Sequence, residues 1–153
     1  MAVTTNGWIE RPEAEQFWGW SLVIYGKPGA QALFLQTQDQ HGGDVNLLLL
    51  LLWMSAQNAE LTDKDFSALI RVSDAARPTL EELRNSRRKA KGIADYSIAK
   101  DIELDAEKEA QKALLNALPE RIGVIPDASG IMEKYRQHLR APAALFEQLK
   151  ALI

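Results

Sequence analysis

The run from Val45 to Met54, Val-Asn-Leu-Leu-Leu-Leu-Leu-Leu-Trp-Met, constrains this chain more than any other stretch. As a helix it would rise only about 15 Å, roughly half the hydrocarbon core of a bilayer. Asp44 and Asn46 stand at its start, so a membrane span is not expected. A helix that is apolar on every side must be covered on every side. The stretch from Val45 to about Gln57 is therefore expected at the centre of the fold, with the other elements packed around it.

Those other elements read as helices. Pro12 to Tyr25 opens with Pro12, Glu13 and Glu15, which suit a helix N-terminus, and ends at Gly26 before Pro28. Ala30 to Gln38 follows. Asp39 to Gly43 reads as a loop, with Asp44 as the cap of the central helix. Thr62 with Asp65 resembles a capping box for Asp63–Ala75, and Thr79 with Glu82 a second one for Leu80–Lys91. Ser97 to Leu118 is a long helix before Pro119. Two more are expected near Ile131–Leu139 and Pro142–Leu152. Alternating strand patterns are nearly absent, and the best candidate, Gly123 to Pro126, is short and broken by proline. The expected fold is all-α, a single-domain bundle of six to eight helices spanning 1–153. Residues 1–11 are expected to be flexible, and 123–130 to link the bundle to its C-terminal helices.

At 153 residues the chain can bury about two-thirds of its unfolded surface without a disulfide or metal. It has no cysteine, which rules out thiol nucleophiles and thiolate metal sites. No secretory signal or apolar leader is visible in Met1 to Gly7, so a cytoplasmic location is expected. Net charge is −3, and the pI near 5.4 gives no global pull toward nucleic acid. Charge is uneven, however. Residues 1–75 carry 4 Lys/Arg against 9 Asp/Glu, and residues 76–153 carry 14 against 12.

Three constellations could carry chemistry. In Asp39-Gln40-His41-Gly42-Gly43-Asp44-Val45-Asn46, the side chains of Asp39, His41 and Asp44 could hold a divalent cation, but the spacing matches no established metal loop. Capping by Asp44 explains it more simply, and neither metal nor cofactor is expected. Asn46 is the one amide opening an otherwise apolar helix and must find partners if buried. Second, Arg84, Arg87, Arg88 and Lys91 share a helix face and could hold a phosphate or RNA. The competing reading pairs them with Asp101, Glu103, Asp105, Glu107 and Glu109 on the next helix, and this is favoured. Third, Phe17, Trp18, Trp20 and Tyr25 could line a pocket, although aromatics at this spacing usually pack a core.

One resemblance joins these pieces. Phe17-Trp18-x-Trp20-Ser21-Leu22-x-x-Tyr25-x-x-Pro28-Gly29, then Leu35-Gln36-x-Gln38-Asp39-x-x-Gly42-x-Asp44-Val45-Asn46-Leu47-Leu48-Leu49 and Trp53, resembles a family of uncharacterised bacterial proteins, domain of unknown function 2390, typical of Proteobacteria. Leu83-Arg84-x-x-Arg87-Arg88-x-x-Lys91 is similar to it as well. The resemblance implies no activity.

The first functional reading is a non-enzymatic helical binding or adaptor protein. It rests on the missing catalytic motifs and on the stripe Leu145, Phe146, Leu149 and Leu152, which could meet a protein partner or a second copy. The second is a small enzyme with a polar pocket built from Asp39, Asp44, Asn46, Arg84 and Arg87 beside Trp18 or Trp20. A third is an RNA- or ribosome-associated factor, which the overall charge disfavours.

Overall fold

The computed structural model describes residues 7–93, 95–125 and 130–153. Among these residues lie two short strands, β1 (Trp8–Glu10) and β2 (Arg121–Gly123). The seven helices are α1 (Ala14–Tyr25), α2 (Ala30–His41), α3 (Val45–Ala56), α4 (Asp63–Ala90), α5 (Tyr96–Asn116), α6 (Gly130–Leu139) and α7 (Ala143–Lys150). The fold is an all-α bundle.

The apolar run forms α3, and every side chain from Asn46 to Met54 is buried. Its start is fixed by Asp44, whose Oδ1 accepts from the backbone N–H of Asn46 at 2.8 Å and of Leu47 at 3.3 Å. Two N–H groups that no helix can satisfy internally are thereby paired. Around α3 pack α1, α2, α5 and α6, as an all-round apolar helix requires.

The glycine pair before Asp44 is held by space as well as by backbone. Gly42 sits at φ 69°, the left-handed end of α2. A Cβ on Gly43 would lie 2.7 Å from Thr37 Cγ2 and 3.2 Å from Leu139 Cδ1. This close approach seats Gly43 against Thr37 of α2 and Leu139 of α6, beside the α3 cap, where the Tyr135 hydroxyl accepts from Asp44 N–H at 2.9 Å.

Two boundaries differ from the sequence reading: Asp39 to His41, expected as part of a loop, continue α2, which is capped only at Gly42. The expected pair of helices over 63–75 and 80–91 is one helix, α4, with Pro78 inside it. Thr62 caps it, its Oγ1 accepting from Asp65 N–H at 3.1 Å, but the Thr79 box is never used. Proline removes one hydrogen bond from a helix and does not forbid its continuation when both halves are packed. Here Phe66, Leu69 and Ser73 are buried before Pro78, and Leu80 after it. Beyond that point α4 runs antiparallel to α5.

The two strands pair antiparallel, with Ile9 opposite Ile122 and both buried. Residues 8–10 thus form an element where a flexible start was expected, and Gly123 belongs to a strand. Val124 bridges Ala59. The remainder of the expected linker at 126–129 lies outside the described residues. Three-residue strands carry no readable period, so sequence patterning does not reveal them.

Leu145, Phe146, Leu149 and Leu152 are all buried within this chain. α7 packs on α2 and α6, and Lys27 Nζ donates to the Leu152 carbonyl at 2.5 Å. The C-terminal stripe is covered by its own bundle. No helix of the described residues is long and apolar enough to cross a membrane.

Candidate functional site: a polar-floored cavity beside the central helix

Where α1, α2 and the start of α3 face the α4–α5 hairpin, a cavity of about 240 Å³ opens. Trp18, Leu22, Leu35, Leu49 and Leu104 form apolar wall, and Ser21, Asn46, Glu103, Glu107 and Gln111 are polar. Arg84, Arg87 and Arg88 come from α4.

The polar lining follows from helix geometry. Glu103, Glu107 and Gln111 stand four residues apart on α5, so they share one face and climb it at about 6 Å per step. Asn46 sits at the second position of α3, where the chain has just entered the core. Its Nδ2 donates to Glu107 Oε2, and its Oδ1 accepts from Gln111 Nε2 at 3.2 Å. Gln111 Nε2 also lies 3.2 Å from Ser21 Oγ on α1. Three helices, α1, α3 and α5, are tied together by side chains that would each be costly to bury alone.

The hairpin contributes ion pairs. Arg87 Nε donates to Glu103 Oε1 at 2.6 Å, and Arg84 Nη2 lies 3.6 Å from Glu107 Oε1. Two residues of the basic face of α4 are thus matched by acidic positions of α5, as the sequence favoured, while Glu109 pairs with Lys112 and no ion pair of Arg88 or Lys91 is found among the described residues. Two acceptors are left over. Glu103 Oε2 and Gln111 Oε1 are buried and have no hydrogen-bond partner among the described residues. Glu103 is 9% exposed and Gln111 2%.

Burial raises the Glu107 carboxyl above its ordinary 4.5, aided by Asp44 and Glu103 and opposed by the Asn46 hydrogen bond and Arg84. Burial likewise raises the Tyr25 phenol, with Glu107 adding to the shift. The folded chain therefore keeps the Glu107 proton at pH values where the unfolded chain has released it. Stability from this group is present below the unfolded pKa and is lost as pH rises through the folded one. Replacing Glu107 by Gln should flatten the pH dependence of the urea midpoint immediately above pH 4.5. An unaltered slope would show that another group governs that range.

The residues singled out from sequence divide between this cavity and its surroundings. Trp18, Asn46, Arg84 and Arg87 all line it. Trp18 also carries Lys108 Nζ 5.3 Å above its ring. Trp20 packs on Phe17 at 6.3 Å between centroids and is not among the lining residues. Asp44 is occupied as the α3 cap and accepts from Ser73 Oγ at 2.6 Å. Asp39 is exposed, beside Gln38 Nε2 at 3.2 Å. Arg84 borders one small hollow with Asp44 and another with Asp39. Among the described residues, however, no ion pair joins Arg84 or Arg87 to either aspartate. Their partners are Glu107 and Glu103. Among the same residues no group of three His, Asp or Glu side chains is placed to hold a metal ion.

Tyr25, one of the aromatics that could line a pocket, also borders the cavity, whereas Ser21 and Gln111 escaped the sequence reading as site residues. A signal existed for Gln111, which falls in phase with Glu103, Glu107 and Leu114 on the inward face of α5.

A family model described as a protein of unknown function, DUF2390, matches residues 16–114. The chain belongs to DUF2390. No curated protein and no solved structure matches it. The DUF2390 match runs from the first turn of α1 nearly to the end of α5, and every cavity-lining residue, from Trp18 to Gln111, falls inside it. The last two helices, α6 and α7, lie beyond the DUF2390 match.

Proposed function

We propose that this DUF2390 protein is a cytoplasmic bacterial binding protein that acts without catalysis and holds a small molecule in the cavity between α1, α3, α4 and α5. The observation that carries this reading is a cavity of about 240 Å³ in which apolar walls from Trp18, Leu22, Leu35, Leu49 and Leu104 meet the polar side chains of Ser21, Asn46, Glu103, Glu107 and Gln111. Apolar walls beside a few convergent polar groups are the usual make-up of a small-molecule site. The volume, about 240 Å³, lies just below the ~300–1,000 Å³ of sites for drug-sized ligands, so a compact metabolite fits. Its cysteine-free composition suits a reducing compartment.

A thermal-shift screen of small metabolites tests the proposal, since a ligand that binds only the native state raises Tm. Leu104 is 38% exposed and lines the cavity. Leu104→Trp should plug the cavity while leaving the fold intact. Compounds that stabilise the wild-type chain should lose their effect on this variant. Stabilisation that persists in Leu104→Trp, or a screen without a single stabilising compound, defeats the reading.

A further inference from the structure

Charge and shape at the mouth of the cavity narrow its occupant, on the footing that the cavity is a binding site. We infer that the ligand is a compact amphipathic monocarboxylate, whose apolar body fills the cavity while its carboxylate meets Arg84 and Arg88 at the mouth.

Shared lining marks that mouth. Gln38, Arg84 and Arg88 border both the cavity and the open hollow outside it. Arg84 and Arg88 stand four residues apart on α4, so they are neighbours on one helix face. The three arginines of the lining differ in what they already hold. Arg87 is committed to Glu103 at 2.6 Å. Arg84 comes only within 3.6 Å of Glu107 Oε1, beyond the length of a hydrogen bond. Arg88 is exposed, and no ion pair of it is found among the described residues. Asp39 and Glu81 border the outer hollow, yet among the described residues neither is paired with Arg84 or Arg88. A guanidinium carries five donors. An oxyanion can therefore be received here without breaking either pair to α5.

The lining also sets the sign and size of the ligand charge. Three guanidinium groups stand against the carboxylates of Glu103 and Glu107, which leaves one positive charge over. A monoanion balances it. A cation would enter beside three guanidinium groups, and a dianion would overshoot. Burial pushes the Glu107 carboxyl above its ordinary range, which weakens its hold on Arg84. Among monoanions, a carboxylate matches the planar fork of arginine.

Inside the mouth the wall turns apolar, through Trp18, Leu22, Leu35, Leu49 and Leu104. A ring or short chain lying there is removed from water. The charged head, held beside the exposed Arg88, keeps part of its hydration. A carboxylate carried inward would lose that hydration at heavy cost. The space, about 240 Å³, suits one ring or a short chain rather than a long acyl tail.

Four compounds separate these cases by isothermal titration of the full chain. 3-Phenylpropanoate is the anion, 3-phenylpropanamide its neutral isostere, 3-phenylpropylamine the cation, and acetate the head without the body. 3-Phenylpropanoate should bind at least about tenfold more tightly than the amide, the ratio that one charge-assisted hydrogen bond supplies. The amine should bind more weakly than the amide, and acetate should give no measurable heat. Arg88→Glu should weaken 3-phenylpropanoate by about fivefold or more and leave the amide within about twofold. Lys89→Glu makes the same change in net charge at an exposed neighbour outside the lining. It should leave both affinities within about twofold. Far-UV circular dichroism confirms that each variant is folded.

An amide or amine bound as tightly as 3-phenylpropanoate overturns the inference. So does acetate bound as tightly, an affinity unmoved in Arg88→Glu, an equal loss in Lys89→Glu, or no heat from any of the four. If the amide or amine wins and Leu104→Trp abolishes its binding, the cavity remains a binding site and only the ligand class falls. If 3-phenylpropanoate binds Leu104→Trp as tightly as wild type, both readings fall together. They also fall together if none of the four binds and no screened compound raises Tm.

Discussion

Deleting residues 142–153 should leave a chain that no longer folds cooperatively. The deletion removes Leu145, Phe146, Leu149 and Leu152, which are between 0% and 9% exposed against α2 and α6. Burial of such side chains contributes about 1.5–3 kcal/mol each, so the four together rival the ~5–15 kcal/mol by which whole domains are stable. The carbonyl that holds Lys27 goes with them, and Tyr135, which packs on Phe146 at 6.4 Å between centroids, loses a neighbour. Tyr135 receives the N–H of Asp44, so the damage reaches the start of α3. Sedimentation and thermal melting are the measurements. A truncated chain that stays monodisperse and melts at the wild-type temperature would show that α7 is dispensable.

Leu51→Ala is expected to cost about 2–5 kcal/mol, the range for a fully enclosed leucine whose cavity cannot collapse. Leu51 is wholly buried in the middle of α3, and helices pack on that element from several sides, so no neighbour is free to move in. Leu22→Ala provides the contrast. Leu22 is 55% exposed on α1, and the same truncation there should fall within about 0.5 kcal/mol of wild type. Denaturant titration compares the two. A loss below about 1 kcal/mol at Leu51 would mean that α3 is less tightly enclosed than its burial indicates.

The central helix was legible because its signal is extreme. Six consecutive leucines leave no face that could point to water, and any fold must answer them in the same way. The Asp44 and Thr62 caps were legible for a related reason, since a short polar side chain before a helical run has little else to do. The division at Pro78 was misleading because the local rule for proline is weaker than packing on both flanks. For the site, the facing charges of α4 and α5 could be read from spacing. Their separate union with Asn46 could not. It depends on how the start of α3 is placed against α5, which no local pattern encodes. Ser21 and Gln111 went unnoticed because one polar residue on an otherwise apolar face reads as a defect in periodicity.

The continuity of α4 through Pro78 has a consequence for access to the cavity. Past that residue the helix buries only Leu80 and Ala90, and α5 buries only Glu103 and Gln111 before Leu114. The outer hairpin is fastened largely by the Arg84–Glu107 and Arg87–Glu103 pairs, interactions that salt weakens when they are not deeply buried. It is therefore the part of the molecule with the least to lose by opening alone, well below the free energy of global unfolding. Since Arg84, Arg87 and Arg88 form the α4 wall of the cavity, that wall would act, under the proposed binding function, as a door whose latch is ionic, and entry and escape of an occupant would be sensitive to ionic strength.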